Sequence, residues 1–168
     1  MRIAFTGYRP ESLPFRLDSC ECHQMEMALQ HIIREKIKEG CDTFYCGAAR
    51  GIDIICGEIV LSEKAAGYSH VQLICAIPFK EQANRWEPDW QIRYNSLLHN
   101  ADRIVQLCDH YQRGCYFIRN RYMVDNSDML IAVYDGSGKG GTAYTVSWAK
   151  KQGKPIILIN PRTFLIMS

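Results

Sequence analysis

At 168 residues the chain has the length of one domain, enough to bury about 70% of the surface its unfolded form exposes. An apolar fraction of 47% with 23% charged residues excludes a disordered tail and a disulfide-stapled miniature. A net charge of +2 is too mild for the dense phosphate contacts of a dedicated DNA binder, though it leaves room for a local basic patch.

The opening run MRIAFTGYRP is broken at Thr6, Gly7 and Pro10, so it reads as neither an export signal nor a membrane span, and a cytoplasmic protein is expected. Residues 2–6 read as a first strand. Asp18 followed by Glu21 reads as a capping box for a helix that gathers Met25, Ala28, Leu29, Ile32, Ile33 and Ile37 on one face and stops at Gly40. A second strand at 43–46 precedes a helix over 52–66, apolar at Ile52, Ile55, Cys56, Ile59 and Val60, which ends at Gly67. A third strand at 71–77 leads to a helix opened by Pro88 that aligns Trp86, Trp90, Tyr94, Leu97 and Leu98. The remainder reads as a strand at 103–108, a helix over 113–126 turning Cys115, Ile118, Tyr122 and Met123 inward, a strand at 129–134, a helix over 142–152 and a strand at 155–160. Regular alternation predicts a mostly parallel sheet of about six strands with helices on both faces, because parallel neighbours need long crossovers. No linker or repeat divides the chain, so residues 1–168 form one expected domain.

Of the eight cysteines, Cys46, Cys56, Cys75 and Cys108 lie in apolar segments and read as small buried hydrophobes, with reduced thiols expected. Cys20, Cys22 and His23 do not have C-x-x-C spacing and lack a second ligand pair at a familiar interval, so no metal site is expected.

In open α/β sheets, ligands bind beyond the carboxyl ends of the strands. The segments standing there are Thr6 to Pro10, Gly47 to Asp53, Pro78 to Gln82 and Asp135 to Thr142. Glycines in such turns let the backbone approach a ligand, and a helix starting there offers free N–H groups suited to phosphate; in any one loop they equally serve tight turning. Gly138-Lys139-Gly140-Gly141-Thr142 is not a P-loop, since two glycines separate Lys139 from Thr142, and it does not fit the dinucleotide fingerprint either.

Phe5-Thr6-Gly7-Tyr8-Arg9-Pro10, Gly47-Ala48-Ala49-Arg50-Gly51-Ile52-Asp53, Ile77-Pro78-Phe79 with Gln82 and Trp86, and Arg119-Asn120 with Met123-Val124-Asp125 before the loop at 135–142 together resemble the YpsA-like branch of the SLOG superfamily. The resemblance runs through nearly the whole chain. It implies a Rossmann-like three-layer sandwich with a nucleotide-derived ligand in a glycine-lined crevice, and kinship with the DNA-processing protein DprA and the lonely-guy phosphoribohydrolases. It assigns Gly141 and Thr142 to a phosphate cradle and Arg119 to the ribose and phosphate. Where the hydrolases keep a catalytic glutamate, this chain places Tyr144, and a phenol of pKa about 10 is a poor acid or base near neutrality.

The candidate site is therefore Gly7, Arg9, Gly47, Gly51, Asp53, Pro78, Phe79, Gln82, Trp86, Arg119, Asn120, Asp135, Gly140, Gly141 and Thr142. Asp53 binds ribose or caps its helix. Asp135 binds a hydroxyl or starts a turn, and Trp86 stacks on a base or packs against Trp90 and Tyr94. Arg119 reads as a phosphate ligand beside an open crevice or as an ordinary solvated ion pair. None of the five histidines stands beside an evident nucleophile. The leading expectation is a non-catalytic sensor of an ADP-ribose-like or NAD-like molecule, needing no cofactor and passing occupancy to a protein partner or second copy. The alternatives are an N-glycosidic hydrolase of nucleotides and a nucleic-acid binder.

Overall fold

In the computed structural model, which describes residues 1–167, each segment that reads as a strand forms one, and all lie in a single sheet. The strands are β1 (Arg2–Gly7), β2 (Thr43–Cys46), β3 (Gln72–Ile77), β4 (Arg103–Gln106), β5 (Met129–Val133), β6 (Ile156–Ile159) and β7 (Ile166–Met167). The helices are α1 (Cys20–Lys38), α2 (Ile52–Ala65), α3 (Pro88–Asn100), α4 (Cys115–Asp125) and α5 (Gly140–Lys151), with a 3-10 turn at Pro10–Ser12. The seven strands run in the order β4-β3-β2-β1-β5-β6-β7, all parallel except β7.

The pleat sorts the side chains. In β1, Ile3 and Phe5 face the layer of α1, α2 and α3, whereas Ala4 faces α4 and α5. Phe5 stacks on Phe44 across the β1–β2 pair, with ring centroids 5.5 Å apart and planes 5° from parallel. Cores on both faces make a three-layer Rossmann-like sandwich.

The mostly parallel sheet of about six strands is present, and β7, a two-residue strand antiparallel to β6 and too short to carry a pattern, extends it to seven. Three expectations need correction. The cap of α1 is Ser19, whose hydroxyl accepts the Cys22 N–H at 3.2 Å, while Asp18 is held by Arg16. α5 begins at Gly140 rather than Thr142. In α4, Ile118 is 41% exposed, and the inward positions are Cys115, Arg119, Asn120, Met123 and Val124. Residues 115, 119 and 123 recur at a four-residue interval on one face; the middle one, Arg119, is charged yet buried.

Candidate functional site

From β1 the chain steps outward through β2, β3 and β4, then returns to β5 on the other side of β1. Loops leaving β1 and β5 therefore diverge, and the gap between them is the topological switch point. A cavity of about 340 Å³ opens there, within the range of small-molecule sites. Gly7, Arg9, Asp53, Arg119, Asn120, Gly140, Gly141 and Thr142 line it.

The floor is a buried ion pair. Arg119 is 4% exposed and Asp53 is 6% exposed, with Nη1 3.8 Å from Oδ2. Arg119 also donates to the Gly47 carbonyl and, at 2.7 Å, to Asn120 Oδ1. Burial pushes the Asp53 carboxyl upward and the Arg119 guanidinium downward, and their mutual attraction opposes both shifts. Arg119 is thus neither solvated nor free in an open crevice. Gly47 makes room for the pair, since a Cβ there would press into Arg119 Nη1 and Asp53 Oδ2.

The wall facing this floor is the start of α5. Its N-cap, Lys139, is extended and supplies no side-chain hydrogen bond, so the first-turn N–H groups have no helical partners. Those residues, Gly140, Gly141 and Thr142, line the cavity. Gly140 has φ of +87°, which favours glycine, and only Asn120 Nδ2, at 3.7 Å, lies near a Cβ built at Gly141. The Thr142 hydroxyl donates to the Gly7 carbonyl at 2.9 Å and ties α5 to the end of β1. At the rim, Arg9 lies 5.3 Å from the Tyr116 ring centre. Among the described residues neither Arg9 nor Lys139 forms an ion pair.

The other expected residues stand behind or away from the cavity. Gly51, with φ of +91°, packs against the Tyr8 carbonyl. The Pro78 carbonyl accepts from the Cys108 N–H at 2.9 Å, and Phe79 meets Tyr116 edge-on at 5.9 Å, backing one wall. Gln82 donates to the Ala48 carbonyl at 3.2 Å and holds the loop after β2. Asp135 is taken up by the Tyr8 hydroxyl, the Ser137 N–H and Arg162, and the Tyr8 bond holds its carboxyl below the usual range. Trp86 meets Tyr94 edge-on at 5.3 Å and lies under Arg50, outside the cavity lining. Tyr144 is bonded by Arg121 and is not part of the lining either.

Seven lining residues lie outside the candidate site expected from the sequence: Thr6, Tyr8, Ser12, Ala49, Tyr116, Phe117 and Lys139. Tyr116 precedes Arg119 and Asn120 by three and four residues, a spacing that places all three on one side of α4. That spacing was the available signal.

Such an arrangement defines a Rossmann-like α/β domain with a glycine-lined crevice at its switch point. Within that class the chain belongs to the YspA SLOG family, whose YpsA model matches residues 3–163. It is 29% identical over 155 residues to a UPF0398 protein of Bacillus cereus strain B4264, covering 90% of this chain and 84% of that one. A UPF0398 protein of Bacillus thuringiensis strain Al Hakam matches with the same identity and coverage. Among solved structures, DNA processing protein A from Helicobacter pylori, described for its single-stranded DNA binding mode, superposes with a TM-score of 0.63 at 21% identity. That match covers 95% of this chain but 65% of the Helicobacter chain, and shows a shared fold. Among the described residues no helix is long and apolar enough to cross a membrane.

Proposed function

We propose that the crevice binds a phosphate-bearing, nucleotide-derived ligand of the ADP-ribose or NAD class, and that the chain acts as a non-catalytic sensor. The observation that carries this reading is the uncapped start of α5: Gly140, Gly141 and Thr142 line the cavity beside two unpaired cations, Arg9 and Lys139. Free N–H groups, the positive end of a helix and glycines without side chains suit a phosphate. Tyr116 and Phe117 supply apolar wall for a base or ribose. A sensor passes occupancy to a protein partner or a second copy.

One observation favours the enzyme reading instead. Asp53 lines the crevice, and burial raises its proton affinity, as suits a general acid. Its engagement by Arg119 supports structural duty. Nucleic acid is the remaining occupant to test, on analogy with the Helicobacter protein.

Melting curves with ADP-ribose, NAD, AMP and phosphate-free adenosine test the proposal. A ligand at about a hundred times its Kd stabilises by roughly 2.7 kcal/mol, or about 5 to 11 °C for a chain of this size. The phosphate-bearing compounds should shift the transition and adenosine should not. No shift with any of them at millimolar concentration would overturn the reading, and chromatographic release of free base from AMP would replace the sensor with a hydrolase.

A further inference from the structure

The two helical layers treat their charges differently. On α1, α2 and α3 every lysine and arginine is paired: Arg34 with Glu63, Lys36 with Glu39, Lys38 with Glu35, Lys64 with Asp102 and Arg93 with Glu58. On α4 and α5, Arg121, Lys150 and Lys151 are exposed, and none forms an ion pair among the described residues. Asp125, the one carboxylate of these two helices, is occupied by Trp148 Nε1 at 2.8 Å and by Gln152.

Aromatic rings interleave with these cations. Phe117, 45% exposed and part of the crevice wall, meets Tyr144 with ring centres 4.5 Å apart. Arg121 lies 5.6 Å from the Tyr144 ring centre and 4.5 Å from that of Trp148, and Lys151 lies 5.6 Å from the Trp148 ring centre. Phe117 and Arg121 are four residues apart on α4, as are Tyr144 and Trp148 on α5, so each pair shares a helix face. Rings one such step apart are separated by about 6 Å along the axis. A stripe of ring, cation, ring and cation therefore leads from the crevice along the α4–α5 surface.

We propose that this stripe binds single-stranded DNA, with one phosphate-bearing nucleotide in the crevice and the strand continuing over Tyr144, Arg121, Trp148 and Lys151. The proposal rests on the phosphate-cradle reading of the crevice. Alternating ring faces and unpaired cations match the alternation of bases and phosphates in an unpaired strand. Only unpaired bases can reach such faces, which disfavours a duplex. A protein partner is disfavoured, since two of the three uncompensated cations are lysines, a residue depleted from interface cores. RNA would add 2′-hydroxyls to be read, whereas the stripe offers rings and cationic donors, and the Oδ1 of Asp125, the one carboxylate on these helices, is turned to Trp148 and Gln152.

Fluorescence anisotropy of a labelled twenty-nucleotide oligo(dT) at several salt concentrations tests this, with ADP-ribose calorimetry run in parallel on each variant. Arg121→Glu and Lys151→Glu alter exposed side chains and should leave the melting temperature near wild type while weakening oligo(dT) binding at least tenfold. Each cation withdrawn from a phosphate should flatten the log–log salt dependence by about 0.7. Trp148→Ala should cost about tenfold, since base–aromatic stacking is worth roughly 1 to 3 kcal/mol. ADP-ribose affinity should be unchanged in all three. Wild type that binds ADP-ribose but no oligo(dT) would overturn the stripe and leave the crevice reading standing. Loss of oligo(dT) in the stripe variants without any ADP-ribose binding would uphold the stripe and remove the small-molecule reading. Unaltered oligo(dT) affinity in Arg121→Glu, tighter binding of duplex or oligo(U), or a self-association abolished by Arg121→Glu would each overturn the proposal.

Discussion

Arg119→Ala should unfold the protein more readily instead of simply emptying its crevice. The substitution removes the cation facing Asp53 and leaves that carboxylate 6% exposed, with the Gly47 carbonyl and Asn120 Oδ1 also losing their donor. Breaking a buried pair from one side costs roughly 3 to 5 kcal/mol, because the remaining charge is uncompensated. Against a typical total of about 5 to 15 kcal/mol that is a large fraction, equivalent to a melting shift of roughly 6 to 20 °C. Urea titration followed by circular dichroism and by tryptophan fluorescence measures it, the coincidence of the two probes checking two-state behaviour.

The pH dependence has a definite sign. Burial already raises the Asp53 carboxyl in the folded wild type, and loss of the arginine removes the attraction that opposes the rise. An acid whose folded pKa lies above its unfolded value penalises the fold at high pH, and the penalty shrinks as pH falls below the folded value and is gone below the unfolded one. Arg119→Ala should thus recover part of its deficit as pH is lowered from neutrality toward the unfolded carboxyl value of about 3.9. The double variant Asp53→Asn with Arg119→Met should be more stable than Arg119→Ala alone, since no charge remains buried. A loss below about 1 kcal/mol for Arg119→Ala, with no pH dependence, would refute the buried-pair reasoning and return Arg119 to the role of a solvated ligand.

Three further outcomes are expected. Gly141→Val should melt like wild type, because its Cβ would meet only Asn120 Nδ2 at 3.7 Å, yet lose about tenfold or more in ADP-ribose affinity by calorimetry, since the side chain stands on the proposed path of phosphate to the α5 backbone. Glu63 accepts from Gln30 and Arg34 at 2.8 Å, and the Arg34 bonds, seconded by Gln30, hold its carboxyl below the ordinary glutamate range. Its stabilisation is complete above the unfolded value of about 4.3 and fades as pH falls from there through the lower folded value, so Glu63→Gln should cost about 1 to 3 kcal/mol at pH 7 and flatten the acid limb of a stability profile. Chelator should leave the melting curve in place, because Cys22 points into the core while Cys20 and His23 are exposed, so the three do not converge on an ion.

Most of the fold was legible because each element announces itself locally. Ile3 and Phe5 alternate with Ala4 as a pleat requires, and Met25, Leu29, Ile32 and Ile33 recur at helical spacing. β7 was not legible: its two residues pair with Leu158 and Ile159 only after a turn in which Phe164 takes φ of +58° and its N–H bonds the Asn160 carbonyl. The site was legible as a set of loops, since glycines at strand ends are visible in any alternating sequence. Which residues of those loops reach the cavity was not. Phe79 and Gln82 occupy such a loop yet act from behind the wall, and Asp135 is consumed by Tyr8, a partner from the other side of the switch point.

The burial of Arg119 changes where the crevice obtains its attraction for an anion. Sequence reasoning places the phosphate-binding charge on that guanidinium, but in the fold its charge is balanced by Asp53 and its donors are directed at Gly47 and Asn120. What a ligand meets uncompensated is the α5 terminus together with Arg9 and Lys139. A helix end is worth typically 0.3 to 1 kcal/mol to a nearby charge, and up to about 2 when partly buried, whereas hydrogen bonds to charged groups contribute about 1.5 to 3 kcal/mol. Affinity should then follow the rim cations and the free N–H groups more than the buried arginine. Arg9 and Lys139 stand at the mouth and act through partly solvated charge, so that share weakens as salt rises, while the N–H groups behind them are less affected. On the proposed reading, the floor shapes the crevice and the rim cations set the sign of its ligand.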